Sequence, residues 1–302
     1  MGEQKLRYVV AIDVGGTTIK AALVDENLSI VTTANEPTPK GDISGMKTVQ
    51  TVNKLVANFQ QSHPISAIGL AVPGALDEKE GVSRWTGNLG WHDLHIRDLV
   101  RTSTGLPVAF GHDVRTGALA ELNSGAAKGF TQSIFIPIGT GIAAALIIDG
   151  QIRTSDGYAG EIGHMNVGHK VLCVCGMVGC LEAISSALAI SVEYQRLSGV
   201  SRSTREIAAR IESDDHAKVV WNRAIDSLAI AVEDLVTILA PEAIIFGGGV
   251  SESGSSLLYP LKAKLNARLT FQRRPELLIA HYGINAGTIG CAIMAQELIG
   301  EE

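Results

Sequence analysis

Asp13-Val14-Gly15-Gly16-Thr17-Thr18 stands between two apolar runs, residues 8–12 and 19–24. Two such runs around a glycine turn predict a β-hairpin, and residues 28–33 continue it as a third strand. Adjacent glycines leave backbone N–H groups open, and the threonine hydroxyls add donors, so the turn suits phosphate oxygens. It is not a Walker loop, because no Gly-Lys-Ser/Thr follows. Nor is it a dinucleotide fingerprint, because a strand stands where a helix is required. The same device returns in the second half, where strand 133–138, Gly139-Thr140-Gly141 and strand 142–148 follow one another. Strand, glycine–threonine turn, strand therefore occurs twice. An imperfect repeat of such long period predicts two similarly built lobes rather than a solenoid.

Around these turns the chain alternates strands and helices, which is the signature of an α/β protein. Apolar spacing predicts helices over 45–61, 94–104 and 116–125, with strands at 65–72 and 107–110. Residues 153–179 are glycine-rich and irregular. After them come expected helices at 183–195, 204–213, 216–239, 257–269 and 286–298, and strands at 243–246 and 276–280. Helix 216–239 is apolar enough to serve as core or as an interface. A third glycine turn, Gly247-Gly248-Gly249, follows the buried strand at 243–246. One such turn is an ordinary hairpin turn. Three, each ending an apolar strand, predict a nucleotide held in a cleft between two lobes, with Asp13 placed to hold Mg²⁺ through water.

Three of the four cysteines fall within eight residues, in Cys173-Val174-Cys175-Gly176-Met177-Val178-Gly179-Cys180-Leu181-Glu182. Thiolates this close around glycines wrap naturally about one Zn²⁺ ion. Reduced thiols in a turn, or a disulfide, are the plainer readings; residues this close rarely make an unstrained disulfide. A tetrahedral site needs a fourth ligand, and His164 and His169 both lie just upstream. Glu182, following the last cysteine closely, would be fixed in space by such a metal. Glu161 and His164, in Glu161-Ile162-Gly163-His164, can face the same way and hydrogen-bond vicinal sugar hydroxyls. Asp113, after His112 at the end of strand 107–110, is placed either to cap a helix or to take a proton from a hydroxyl.

The 302 residues suffice for one large domain or two of ordinary size, and 46% hydrophobic content allows a substantial core. A net charge of −6 without a Lys/Arg run argues against nucleic acid as the main partner. No apolar run reaches membrane-spanning length free of charge or glycine, and residues 1–7 are polar, unlike a secretory signal. Few cysteines, clustered for metal rather than spread for bridges, fit a reducing cytoplasm.

From Asp13 to Ala286-Gly287-Thr288-Ile289-Gly290, the chain resembles the ROK family of bacterial sugar kinases and repressors. The Cys-x-Cys-Gly-x-x-Gly-Cys-x-Glu stretch at 173–182 is highly specific for it, and Glu-x-Gly-His at 161–164 and Asp13-x-Gly-Gly-Thr reinforce it. The resemblance implies a two-lobed actin-like ATPase fold, ribonuclease H-like in each lobe, with nucleotide and sugar in the interlobe cleft. The expected lobes are 1–113 plus 286–302, and 114–285. It implies an ATP-dependent hexose kinase acting on the 6-hydroxyl of glucose or a related hexose, with N-acetylmannosamine as a competing substrate and polyphosphate as a donor for some relatives. Asp113 then matches the general base. Glu161, His164 and Glu182 match residues that bind sugar hydroxyls, and Gly74 and Asn88 lie in regions that line the sugar site. His164 with Cys173, Cys175 and Cys180 matches the ligands of a structural Zn²⁺, although the gap from His164 to Cys173 looks about a residue short, which leaves room for His169. The family usually has Asn-Asp where this chain has His112-Asp113, which bears on sugar preference. A homodimer or homotetramer is also implied. Repressor relatives carry a helix-turn-helix ahead of the first phosphate turn, where this chain has about a dozen strand-like residues. Intact Asp13, Gly15, Gly16 and Asp113 argue against a sugar sensor without catalysis.

Overall fold

The computed structural model describes residues 7–87 and 89–300, so the expectation for Asn88 lies outside the described residues. Two compact units emerge. One takes in the described residues up to Ala120, Thr154–Tyr158, and the chain from Asn285 on; the other is Glu121–Arg153 with Ala159–Ile284.

The first unit is built from strands β1 (Tyr8–Val14), β2 (Thr18–Val24), β3 (Ile30–Pro37), β4 (Ile65–Val72), β5 (Ala75–Asp77), β6 (Val82–Thr86), β7 (Trp91–Leu94) and β8 (Val108–His112). Its helices are α1 (Met46–Gln60), α2 (Ile96–Thr104) and α3 (Asp113–Ser124), the last crossing into the other unit. The main sheet runs β3-β2-β1-β4-β8. Strands β1, β2 and β3 form an antiparallel meander, and β4 and β8 add in parallel. Strands β1 and β4 are apolar runs without alternation because both of their faces are covered. Val10, Ile12, Ile68 and Leu70 pack against Val52, Leu55, Val56 and Phe59 of α1 and Ile96 and Val100 of α2. On the other face, Val9, Ala11, Ala67 and Ala71 meet Cys291, Ala292 and Ala295 of the C-terminal helix. That helix approaches so closely that a Cβ on Gly69 would lie 1.8 Å from the Cys291 carbonyl oxygen.

Strands β5, β6 and β7 form a small antiparallel sheet in that order, which the sequence pattern does not announce. Arg84 pairs with Asp77 and Asp93 across it, and the Trp91 indole N–H donates to the Asp42 carbonyl at 2.8 Å.

In the second unit the strands are β9 (Ser133–Pro137), β10 (Ala145–Ile148), β11 (Gln151–Arg153), β12 (Ala243–Gly247) and β13 (Glu276–Ile279). Their order, β11-β10-β9-β12-β13, and their directions reproduce the first sheet. The duplication read from the glycine–threonine turns is therefore a duplication of whole sheets, as an actin-like fold requires. The helices are α4 (Glu182–Ser185), α5 (Ala187–Ser198), α6 (Thr204–Ala208), α7 (Asp215–Leu239), α8 (Gly248–Ser251) and α9 (Ser255–Arg268); α10 (Ala286–Gly300) returns to the first unit. Helix α7 is core: Trp221, Leu228 and Val232 pack with Ile134, Ile136, Ile244, Phe246 and Leu257. Asp214 caps it by accepting the His216 and Ala217 N–H groups.

Three local expectations change, the first being the helix expected at 204–213, which ends at Ala208 and gives way to turns. The helix expected at 183–195 breaks at Ser186, whose backbone is extended and whose Oγ accepts the Ala189 N–H, starting α5 afresh. The strand expected from Ile142 begins at Ala145, with only a bridge between Ile138 and Ile142 before it. Among the described residues no helix is long and apolar enough to cross a membrane.

Candidate functional site

In the second unit, residues 166–180 fold back on themselves through bridges between Asn166 and Cys180 and between Leu172 and Val178. Inside this loop the Cys173 N–H donates to Met177 O at 2.8 Å and the Gly176 N–H to Cys173 O at 3.0 Å. Closing so short a turn puts Gly176 at φ 90°, a conformation glycine adopts without strain. The result gathers His164, Cys173, Cys175 and Cys180, whose ligand atoms all lie within 4.8 Å of one another. Cys175 Sγ and Cys180 Sγ are 3.7 Å apart, and Cys173 Sγ and His164 Nδ1 are 3.9 Å apart. A tetrahedron with Zn–S bonds of about 2.3 Å has S–S edges of about 3.8 Å. The donor set therefore fits Zn²⁺, and the cysteines are free rather than bridged. His169 stands apart from this group. Its Nδ1 accepts the Val171 N–H at 3.1 Å, which leaves Nε2–H to donate to the Cys180 carbonyl at 2.9 Å. Both ring nitrogens shape the loop and neither is open to a metal.

Glu182 opens α4 directly after the knot. Its Oε2 accepts the Ile142 N–H at 2.8 Å. A Cβ on Gly141 would lie 2.6 Å from that oxygen, and one on Gly163 would lie 3.3 Å from it. The knot, the 161–164 turn and the Gly139-Thr140-Gly141 turn thus converge on one carboxylate. Gly141 needs its missing side chain for Glu182. Glu161 is exposed and His164 half-buried.

The second and third glycine turns are neighbours. Ile138 N–H donates to Gly247 O at 2.9 Å, and Val250 N–H to Ile138 O at 3.1 Å. Gly248, at φ 72°, admits no side chain, because a Cβ would lie 2.5 Å from Ile138 O. Thr140 and Gly249 line a cavity of about 470 Å³ with Leu188, Ser191, Thr204 and Arg205. At Gly139 and Gly249 a Cβ would meet nothing, so packing does not demand glycine there.

In the first unit, the Gly15 N–H donates to Thr18 O at 3.0 Å, and Thr38 pins the turn through its N–H to Thr17 O and its hydroxyl to Gly15 O. Gly16 and Thr18 are part-exposed and Thr17 exposed on this turn. Asp13 stands in β1 between the buried Ile12 and Val14, and burial, then the negative charge of Asp113, lift its carboxyl to about 6. Asp113 is the first residue of α3. Its Oδ1 accepts the Val114 N–H at 2.7 Å and lies 3.2 Å from His112 Nδ1. Burial raises the Asp113 carboxyl, with the Val114 hydrogen bond and Arg115 opposing. Burial, then the Arg115 charge, drive His112 down to about 3, so its imidazole is neutral. Gly74 is required by packing: at φ 98°, a Cβ there would lie 2.3 Å from Trp85 O.

Two residues that sequence reasoning left without a role meet at this aspartate. Glu78 Oε1 accepts the His112 backbone N–H at 3.0 Å and Arg115 Nε at 2.9 Å. Glu78 sits in the run Asp77-Glu78-Lys79-Glu80, which reads as solvated surface.

The ROK family matches residues 9–298. A glucokinase of Halalkalibacterium halodurans is 32% identical over 309 residues, covering 94% of this chain and 93% of its own. Among solved structures, a ROK family glucokinase from Streptomyces griseus in complex with glucose and AMPPNP superposes with a TM-score of 0.85 at 27% identity, over 96% of this chain and 99% of that one. A ROK hexokinase from Thermus thermophilus gives a TM-score of 0.77 at 28% identity, over 98% of this chain and all of that one.

Proposed function

Because the chain belongs to the ROK family, we propose that it is an ATP-dependent hexose kinase whose general base is Asp113. It moves the γ-phosphoryl group of ATP to the 6-hydroxyl of glucose or a closely related hexose. The observation that carries the assignment is the state of Asp113. The Val114 N–H holds Oδ1, so Oδ2 is the oxygen that takes the hydroxyl proton, and burial raises the carboxyl toward the operating pH.

Phosphoryl transfer asks chiefly for positioning and charge neutralisation. The backbone N–H groups of Gly15–Thr18, and those of the Gly139–Gly141 and Gly247–Gly249 turns, bind the nucleotide; Thr140 and Gly249 border the cavity that takes it. Mg²⁺ bound near Asp13 supplies neutralisation of phosphate charge. Glu161, His164 and Glu182 are assigned to the sugar hydroxyls, and His112 and Gly74 are assigned to the same substrate. His164, Cys173, Cys175 and Cys180 hold Zn²⁺, whose contribution is structural. It fixes the loop from which Glu182 projects. The enzyme acts in the cytoplasm as a homodimer or homotetramer.

A coupled ADP-release assay over glucose, mannose, N-acetylmannosamine and N-acetylglucosamine tests this reading. Turnover highest with glucose and dependent on ATP and Mg²⁺ supports it. Highest kcat/KM with an N-acetylated sugar moves the assignment to an N-acetylhexosamine kinase, and no ADP release with any hexose refutes it.

A further inference from the structure

Resting on the assignment of Asp113 as base, we propose that Glu78, clamped by Arg115, is the residue that positions that base. His112 ends β8, and Asp113 begins α3. Strand β8 is the edge of its sheet. An edge strand presents backbone N–H groups that no ladder partner takes. Glu78 takes the one at His112, from the turn that follows β5. The same oxygen, Oε1, also accepts Arg115 Nε from the first turn of α3. One carboxylate thus grips the last residue of the strand and the first turn of the helix, with Asp113 at the joint between them. His112 Nδ1 accepts the Val114 N–H at 3.2 Å, the same N–H that Asp113 Oδ1 accepts at 2.7 Å, so the imidazole and the base share one backbone donor at this joint.

The bland reading is a salt bridge that stabilises the fold. Burial argues against it. The Arg115 side chain is only 5% exposed, with its Nη2 buried without a partner among the described residues, and the Glu78 side chain is 26% exposed, so the charge is buried chiefly on the arginine side. A buried ion pair seldom stabilises more than apolar residues of the same volume, because desolvation offsets the attraction. What it does provide is direction: two donors fix one oxygen, and that oxygen fixes the turn. A base displaced by about 1 Å can lose about 10²-fold in rate, so geometry at this joint is worth more to the reaction than its contribution to folding.

The test replaces the pair by apolar residues of similar size, Glu78→Leu with Arg115→Met in one protein. Single variants leave one buried charge alone and risk unfolding; the double variant does not. With glucose as acceptor, kcat is expected to fall by about 30-fold or more, with KM for ATP and for glucose within about threefold and the thermal midpoint at or above wild type. Glu78→Gln keeps a carbonyl acceptor for the His112 N–H and is expected to lie between the two. Wild-type kcat in the folded double variant overturns the proposal, as does a loss carried entirely by KM. Asp113→Asn is run beside it. If that variant turns over normally, the base assignment itself fails; if it is inactive while the double variant is fully active, only the positioning role fails.

Discussion

Replacing Asp13 by asparagine is expected to stabilise the ligand-free protein while removing its activity. Asp13 sits at about 6 rather than 3.8, chiefly through burial and then through the negative charge of Asp113. A raised carboxyl means that the folded chain holds the proton more tightly than the unfolded chain does. Its stabilising contribution is complete below pH 3.8, declines as pH rises, and is gone once pH passes about 6. Above that, ionised Asp13 is a cost. At about 1.4 kcal/mol per pH unit, the displacement corresponds to about 3 kcal/mol at pH 7.5. Asp13 keeps some contact with solvent, and asparagine must bury an amide of its own, so about 2 kcal/mol is the working figure. Urea melts of both proteins in EDTA, without nucleotide, at pH 4, 5.5 and 7.5 measure it. The difference between the two proteins is the quantity to read, because the lowered carboxyls of Asp77, Glu206, Asp214 and Glu242 pull stability the opposite way in both. The advantage of Asp13→Asn should be near zero at pH 4, grow through pH 5.5 and level off by pH 7.5. A variant less stable than wild type at pH 7.5, or an advantage independent of pH, would refute the reasoning. Loss of Mg²⁺-ATP turnover in the same variant links the strain to function.

Asp113→Asn keeps the shape of the side chain but cannot take a proton, so kcat should drop by about 10²–10⁴-fold with sugar binding nearly unchanged by calorimetry. Cys175→Ser should abolish bound zinc by elemental analysis and lower the thermal midpoint, whereas one zinc retained per chain contradicts the ligand set. His169→Ala should keep its zinc and lose about 1–2 kcal/mol, the worth of its two hydrogen bonds to the loop backbone; zinc loss there would restore His169 as a ligand. Gly290→Ala places a Cβ 1.8 Å from Thr116 O, which should cost about 1–3 kcal/mol in thermal melts and, by shifting α3, reduce kcat more than it raises KM.

What could be read from the chain followed the range of the interactions. The β1–β2 hairpin and its counterpart β9–β10 were legible because apolar runs and glycine–threonine turns are local signals. Helix α7 was legible because its stripe repeats over 25 residues. The β5–β7 sheet was not. Its strands have three to five residues with mixed burial, and it is tied down by contacts such as Trp91 to Asp42, 49 positions apart. The same limit divides the site residues. The four candidate zinc donors cluster in sequence, but what separates His164 from His169 is the pair of hydrogen bonds that occupy both nitrogens of the latter. Glu78 was invisible because its partners His112 and Arg115 lie 34 and 37 residues away, while its neighbours in sequence are those of a solvated turn.

The two sheets repeat one strand order, yet the chemistry attached to them is not repeated. The ends of β1 and β8 carry carboxylates, Asp13 and Asp113, held above their ordinary range by burial. In the second unit the strands corresponding to β1 and β8 are β9 and β13, and neither C-terminal end carries an acid: β13 leads into Ala280-His281, and β9 into Gly139-Thr140-Gly141, which Ile138 ties to Gly247-Gly248-Gly249 after β12. A scaffold of parallel strand ends supplies positions, and the residue types there decide what each position does. Burial raises both carboxyls, and beside Asp113 the Glu78–Arg115 pair joins the end of β8 to the first turn of α3. Backbone donors need only absent side chains. The carboxylate that does belong to the second unit, Glu182, comes from outside the sheet, and it is held from two sides, by the Ile142 N–H and by the cysteine knot that precedes it. That loop is glycine-rich and has no sheet of its own, and the proposed zinc would complete the hold on it beside Glu182.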